Sequence, residues 1–280
     1  MSTLQEKLKR IDQIRARKPG FNDVLNFFEQ VFIARDAVLQ NLAVADPYPG
    51  GHGISLRLQE GFPLLEKRHF LYDAEVLSDY FNTLLALVAQ RNPGGAAAIR
   101  LRSDAAGELL KKLPPDDIVK ALAAFGHEGD LMLFLLKECM RPWLERYAQR
   151  LSPKVGEEQW HEGCCPVCGG VPCFAEILGQ ENRRRLICQD CGAAWQFPRL
   201  QCPFCGIDEH GKLEYFTPDG EPEYRVMLCR ACKRYIKTAD FREFSDGLVP
   251  EVEHPATLHL DVIARERGYK TEDVLTRLLL

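Results

Sequence analysis

Apolar residues recur at helical spacing through the first half of the chain, then give way to short runs broken by turn residues. Leu4, Leu8, Ile11 and Ile14 mark one face of a first helix, and Asn22 or Asp23 caps a second that carries Val24, Leu25, Phe27, Phe28, Val31, Phe32, Val38 and Leu42. Residues 44–64 hold Pro47, Pro49, Gly50, Gly51, Gly53 and Pro63, which predicts a long loop or ligand-facing segment. Asp73 caps a helix containing Leu84, Leu85, Leu87 and Val88, ended by Asn92-Pro93-Gly94-Gly95. Pro114-Pro115-Asp116-Asp117 opens another, which breaks between Gly126 and Gly129. The last helix of this half runs from Asp130 toward Leu151, with a kink or division expected at Pro142. Leu131, Leu133, Phe134, Leu135 and Leu136 make it apolar nearly all round, as suits the middle of a bundle.

Beyond Pro153 the pattern becomes strands and turns punctuated by cysteine, glycine and proline. Helical spacing returns at about Ala256, with Leu258, Leu260, Ile263 and Ala264, then Val274, Leu275, Leu278 and Leu279. The expected class is α+β, with four units: a helical domain over 1–155, four-cysteine modules over 160–199 and 200–245, and a helical tail over 255–280.

Composition adds that a core of ordinary size is available: 46% of the 280 residues are hydrophobic and 27% charged. The formal charge of −4 gives no general attraction to nucleic acid or anionic lipid. The first ten residues mix charge with isolated leucines and lack the apolar core of a secretion signal, and no apolar run approaches the ~20 residues that span a bilayer. These features predict a cytoplasmic protein without membrane insertion. Its eleven cysteines, in a reducing compartment, point to metal rather than disulfides.

Only Cys139 precedes residue 160. Eight of the other cysteines form four Cys-x-x-Cys pairs: Cys165/Cys168, Cys188/Cys191, Cys202/Cys205 and Cys229/Cys232. They read as two successive units with 19 and 23 residues between their pairs, each suited to one tetrahedral ion, with two metal ions per chain in all. Two residues between thiolates let a tight turn aim both sulfurs at one metal. Gly169, Gly192 and Gly206 follow three of the pairs, where a positive φ costs glycine nothing; Lys233 follows the fourth, which leaves that turn's geometry open. A four-thiolate shell serves Zn²⁺ or rubredoxin-like iron, and being closed it offers no position for hydrolytic water. Cys139, among Leu135, Leu136 and Met140, is expected in the core. Cys164 and Cys173 read first as buried fillers, with redox-active thiols as the alternative. His52 and His127 read as loop and packing residues.

The run Cys165-Pro166-Val167-Cys168-Gly169-Gly170-Val171-Pro172, then Leu186-Ile187-Cys188 through Cys191 and Trp195, then the second pair of knuckles, resembles the FdhE family of formate dehydrogenase accessory proteins. Thr257-Leu258-His259-Leu260-Asp261, continuing to Glu266-Arg267-Gly268-Tyr269, is similar to that family's C-terminal signature. The resemblance implies a helical domain with two rubredoxin-like modules, with iron the metal usually discussed. It implies a maturation factor, a chaperone-like non-enzyme, that binds the formate dehydrogenase catalytic subunit.

Two other functions compete: a rubredoxin-type electron carrier and a zinc-ribbon nucleic-acid binder. Ten Lys/Arg against ten Asp/Glu between Cys164 and Asp240 weigh against the second. The large helical domain weighs against a bare carrier. No phosphate loop, nucleophile elbow or His/carboxylate triad supports an enzyme. Candidate partner-binding residues are Arg183, Arg184 and Arg185 on a presumed hairpin, with Trp195, Phe197 and Arg199 beyond the second knuckle. For Trp195 and Phe197 the competing role is to cover the metal site.

Overall fold

The computed structural model describes residues 2–66, 69–114, 118–156, 159–179, 181–240 and 249–271. The chain begins with α1 (Leu4–Arg17), opened by a capping box in which Thr3 and Glu6 exchange side-chain and backbone bonds. A short 3₁₀ turn at Pro19–Phe21 leads straight into α2 (Asn22–Gln40), so neither Asn22 nor Asp23 acts as a side-chain cap. The proline- and glycine-rich stretch contains a helix of its own, α3 (Ile54–Gln59), entered through Gly53 at φ 82°. Asp73 caps α4 (Ala74–Ala89) as its sequence suggests. Asn92 then ends α4 and caps a further short helix, α5 (Pro93–Arg100), because its side chain accepts from the Gly95 amide.

Next come α6 (Ser103–Leu110), α7 (Ile118–Leu122) and α8 (Gly129–Leu151). The Pro115–Asp117 opening lies outside the described residues. Helix α8 runs through Pro142 undivided and is buried on several sides, from Leu131 to Trp143, Tyr147 and Leu151. It is the middle of the bundle, against α2 and α4.

The second half is built on β1 (Pro172–Leu178), β2 (Arg183–Cys188), β3 (Ala194–Gln196), β4 (Leu213–Phe216), β5 (Tyr224–Cys229) and β6 (Tyr235–Asp240). Each four-cysteine module supplies three antiparallel strands. A parallel pairing of β1 with β6, Phe174 opposite Lys237 and Ile177 opposite Asp240, joins the two sets into one sheet of order β3-β2-β1-β6-β5-β4. The modules thus share backbone hydrogen bonds.

Helices α9 (Pro250–Ala256) and α10 (Leu258–Glu266) close the described chain, beginning six residues before the helical spacing of the sequence suggests. Leu260 and Ala264 of α10, followed by Tyr269, pack on Phe174, Tyr224, Val226 and Tyr235 of the sheet. Buried Asp261 accepts from Tyr235 Oη at 2.7 Å and Lys237 Nζ at 2.6 Å, fixing α10 to β6. The C-terminal signature residues are therefore a clamp on the sheet. Val274, Leu275, Leu278 and Leu279 lie outside the described residues.

Three buried cations of the bundle, Lys7, Arg10 and Arg35, and the partly buried Arg141 meet acidic groups of α8 and α9, Glu138, Glu145, Glu251 and Glu253. Groups this deep must be paired, and the pairing fixes the orientation of α9 on the bundle.

Candidate metal centres

The four Cys-x-x-Cys turns have one backbone geometry. In each, the amide of the residue after the second cysteine donates to the carbonyl of the first: Gly169 to Cys165, Gly192 to Cys188, Gly206 to Cys202 and Lys233 to Cys229, at 2.9–3.2 Å. In each, the first cysteine's amide closes the turn by donating to the residue after that, Gly170, Ala193, Ile207 or Arg234, at 2.9 Å. The pivot residues all have positive φ: 76°, 69° and 74° for the glycines and 57° for Lys233. Lys233 therefore makes the same turn despite its Cβ. The tail backs it: Lys270 N donates to Lys233 O at 2.9 Å, and the Lys233 ammonium stands 5.3 Å from the Tyr269 ring centre.

The fold gathers the eight thiols into the two sequential groups, not crossed pairs. Within Cys165, Cys168, Cys188 and Cys191, and within Cys202, Cys205, Cys229 and Cys232, the sulfurs all lie within 4.8 Å of one another. The closest separations are 3.4–3.5 Å in the first group and 3.7 Å in the second, and the thiols are free rather than joined. A tetrahedron with metal–sulfur bonds of about 2.3 Å has edges of about 3.8 Å, so both groups fit a four-thiolate ion. Such an ion supplies a closed structural or one-electron centre, and zinc and iron satisfy the same geometry.

The surroundings differ. In the first group Cys165, Cys188 and Cys191 are buried. Leu64 and Leu65 of the bundle donate backbone bonds to Pro166 and Val167 at 2.9 and 2.7 Å, so the proline-rich segment of the first half lies directly on this knuckle. Lys137 of α8 pairs with Asp190 at 2.8 Å, and Arg141 donates to the Gln189 carbonyl at 2.6 Å. Burial pushes the Asp190 carboxyl up, while Lys137 holds it down. Four thiolates around a divalent ion carry two net negative charges, and the α8 cations face that charge. Burial pushes Cys165 and Cys191 up. Burial acts the same way on Cys188, but hydrogen bonds from the other three thiols hold it well below the ordinary range. In the second group Cys202 and Cys229 are buried but Cys205 is exposed, and its cationic neighbours are local, including Arg234 over the Phe204 ring. Nothing in the sequence marks Lys137, Arg141 or Leu64 as neighbours of a cysteine more than forty residues away.

The remaining thiols separate cleanly. Cys139 is fully buried in the bundle. Cys164 is half-buried, its carbonyl accepting from Trp160 Nε1 at 2.8 Å. Cys173 is half-buried and lines a cavity of about 70 Å³ with Cys188, Asp190 and Arg141. His52 and His127 are exposed.

Three of the six candidate partner-binding residues are interior. Trp195 and Phe197 are each 4% exposed, and Trp195 Nε1 donates to the Glu162 carbonyl at 3.2 Å. Arg184 is also buried, while Arg183, Arg185 and Arg199 stand at the surface.

No protein-family model matches the chain. It is 29% identical over 269 residues to a protein FdhE homolog of Aquifex aeolicus, an alignment covering 94% of this chain and 90% of that one. A protein FdhE homolog of Haemophilus influenzae is 32% identical over 147 residues, 50% of this chain and 47% of the other. The crystal structure of the FdhE protein from Pseudomonas aeruginosa has the same fold, with a TM-score of 0.67 at 22% identity over 98% of this chain and 95% of that one. Over nearly its full length this chain is thus similar in sequence to an FdhE homolog, and it shares the fold of an FdhE protein with two four-cysteine groups.

Proposed function

We propose that this protein is a cytoplasmic, non-catalytic maturation factor that binds a formate dehydrogenase catalytic subunit and is needed for its active form. The observation that carries this reading is the near-full-length similarity to an FdhE homolog, joined to two four-cysteine groups whose closed four-thiolate shells would leave no position for substrate. Cys165, Cys168, Cys188 and Cys191 hold one ion; Cys202, Cys205, Cys229 and Cys232 hold the other. Among the described residues no helix is long and apolar enough to cross a membrane.

In this reading the helical domain, the two modules and the tail act as one docking body. The partner meets Arg183, Arg185 and Arg199, the exposed members of the candidate patch. The test is anaerobic binding of the metal-loaded protein to the isolated catalytic subunit. Binding should weaken at least several-fold in a variant carrying Arg183→Ala, Arg185→Ala and Arg199→Ala, with metal content unchanged. Failure of the parent protein to bind would remove the partner assignment. Unchanged affinity in the variant would move the interface elsewhere.

The exposure of Cys205 favours one second reading, electron transfer through the second centre. Zinc in that site would exclude it, because zinc has no accessible redox change.

A further inference from the structure

One face of the sheet holds a buried arginine, its guanidinium 5.8 Å from the Phe197 ring centre, that has no carboxylate partner among the described residues. By register, Ile177 of β1, Arg184 of β2, Tyr215 of β4, Arg225 of β5 and Thr238 of β6 point to the same side. With Arg199 from the segment between the two metal centres, they line a cavity of about 100 Å³. Three guanidinium groups therefore converge there.

Arg184 is 4% exposed, and among the described residues no carboxylate pairs with it. Its Nη1 donates to the carbonyls of Pro198, Arg199 and Gln201 at 3.0–3.3 Å, while its Nη2 is buried with no partner. Arg225 Nη2 holds Asp240 at 2.7 Å, but its Nε is also buried and unpartnered. Among the described residues Asp240 is thus the one carboxylate bonded to these three arginines, which leaves two positive charges of the cluster unmatched there. A buried cation without a counter-ion is costly, and burial lowers the Arg184 pKa to about 10. A protein retains such a group where something else completes it.

The structure assigns this cavity as a binding site for a small oxyanion, a phosphate, sulfate or carboxylate, held by Arg184, Arg199 and Arg225. Guanidinium N–H groups in fork geometry match oxyanion oxygens, and the two orphan donors are the kind such a ligand satisfies. The volume is several times the roughly 10–15 Å³ of such space that one water needs, so it admits a small oxyanion. The assignment is independent of the formate dehydrogenase reading.

The test is calorimetric titration of the full-length, metal-loaded protein with inorganic phosphate, sodium sulfate and sodium acetate, against sodium chloride at matched ionic strength. At least one oxyanion should bind saturably at one per chain, and chloride should not. Arg199→Gln removes an exposed side chain with no part in the core. Arg225→Lys keeps a charge for Asp240 while deleting the Nε donor. Loss of a charge-assisted contact should weaken binding about tenfold or more, and weakening by either substitution places the ion in this cavity. The assignment is overturned if none of the three oxyanions binds saturably, or if both variants, with metal content and melting temperature intact, bind as the parent does.

Discussion

Glu251 of α9 gives the sharpest test of how the two halves are held. Its carboxylate is buried and receives one cation from each of three bundle helices: Lys7 of α1, Arg35 of α2 at 3.7 Å and Arg141 of α8 at 3.2 Å. Glu251→Gln removes the charge and keeps the shape. Arg35 retains Glu138 and Glu145, and Arg141 retains Glu145 at 3.0 Å, so among the described residues Lys7 is the cation left without a carboxylate. Its side chain is 8% exposed, with the Phe32 ring centre 5.3 Å away as remaining support. Breaking a buried pair costs about 3–5 kcal/mol, and the surviving arginine partners place this case near about 3. Lys7→Met leaves Glu251 with two arginines and should cost about 1 kcal/mol. The double variant orphans nothing, so its loss should fall short of the sum by about 1–2 kcal/mol. Urea unfolding of the metal-loaded parent, both single variants and the double variant measures this directly. Additivity within about 0.5 kcal/mol would refute the reasoning.

The same site fixes a pH dependence. Burial pushes the Glu251 carboxyl up, but the charges of Lys7, Arg141 and Arg35 overcome it and hold the group well below its ordinary value of 4.5. A carboxyl lowered in the folded state stabilises fully above its unfolded pKa and loses that contribution as pH falls below it. The parent should therefore lose stability from about pH 5 downward more steeply than Glu251→Gln, in urea unfolding between pH 7 and pH 4.

Cys165→Ser should reduce elemental analysis from two metal ions per chain to one and make the sheet half protease-sensitive, since a structural site contributes on the order of 10 kcal/mol to folding. Cys205→Ser should empty the second site alone. Gly163→Ala should destabilise by about 1–3 kcal/mol or more, seen as a fall in melting temperature, because an added Cβ would stand 1.8 Å from the Pro203 carbonyl oxygen. Lys233→Gly should stabilise modestly, by about 0.5–1 kcal/mol in urea unfolding, since relief of about 1–2 kcal/mol of left-handed strain exceeds the lost contact with the Tyr269 ring. A loss of stability there would mean that the ring contact outweighs the backbone strain.

The sequence by itself determined the chemistry and the class. Spacing within and between cysteine pairs is local, so the two four-thiol groups were legible in Cys165 through Cys232. Helical periodicity placed α1 and α8, and periodicity with the Asp73 cap placed α4, because apolar period and side-chain capping act within a few residues. What the sequence left open depended on partners far along the chain. The stretch over 44–64 reads as a loop, yet its end donates backbone bonds to the first knuckle, and nothing local encodes that approach. Pro142 does not divide α8, since burial on several sides supports the helix through the missing amide bond. For Trp195 and Phe197 the sequence allows either surface anchors or cover for the metal site, and the fold turns both inward. The merging of two modules into one sheet, the partnering of Lys137 with Asp190 and the gathering of Arg184, Arg199 and Arg225 around one cavity were decided by the tertiary structure. Burial and charge pairing between distant segments are properties of the packed whole, and no window of sequence contains both partners.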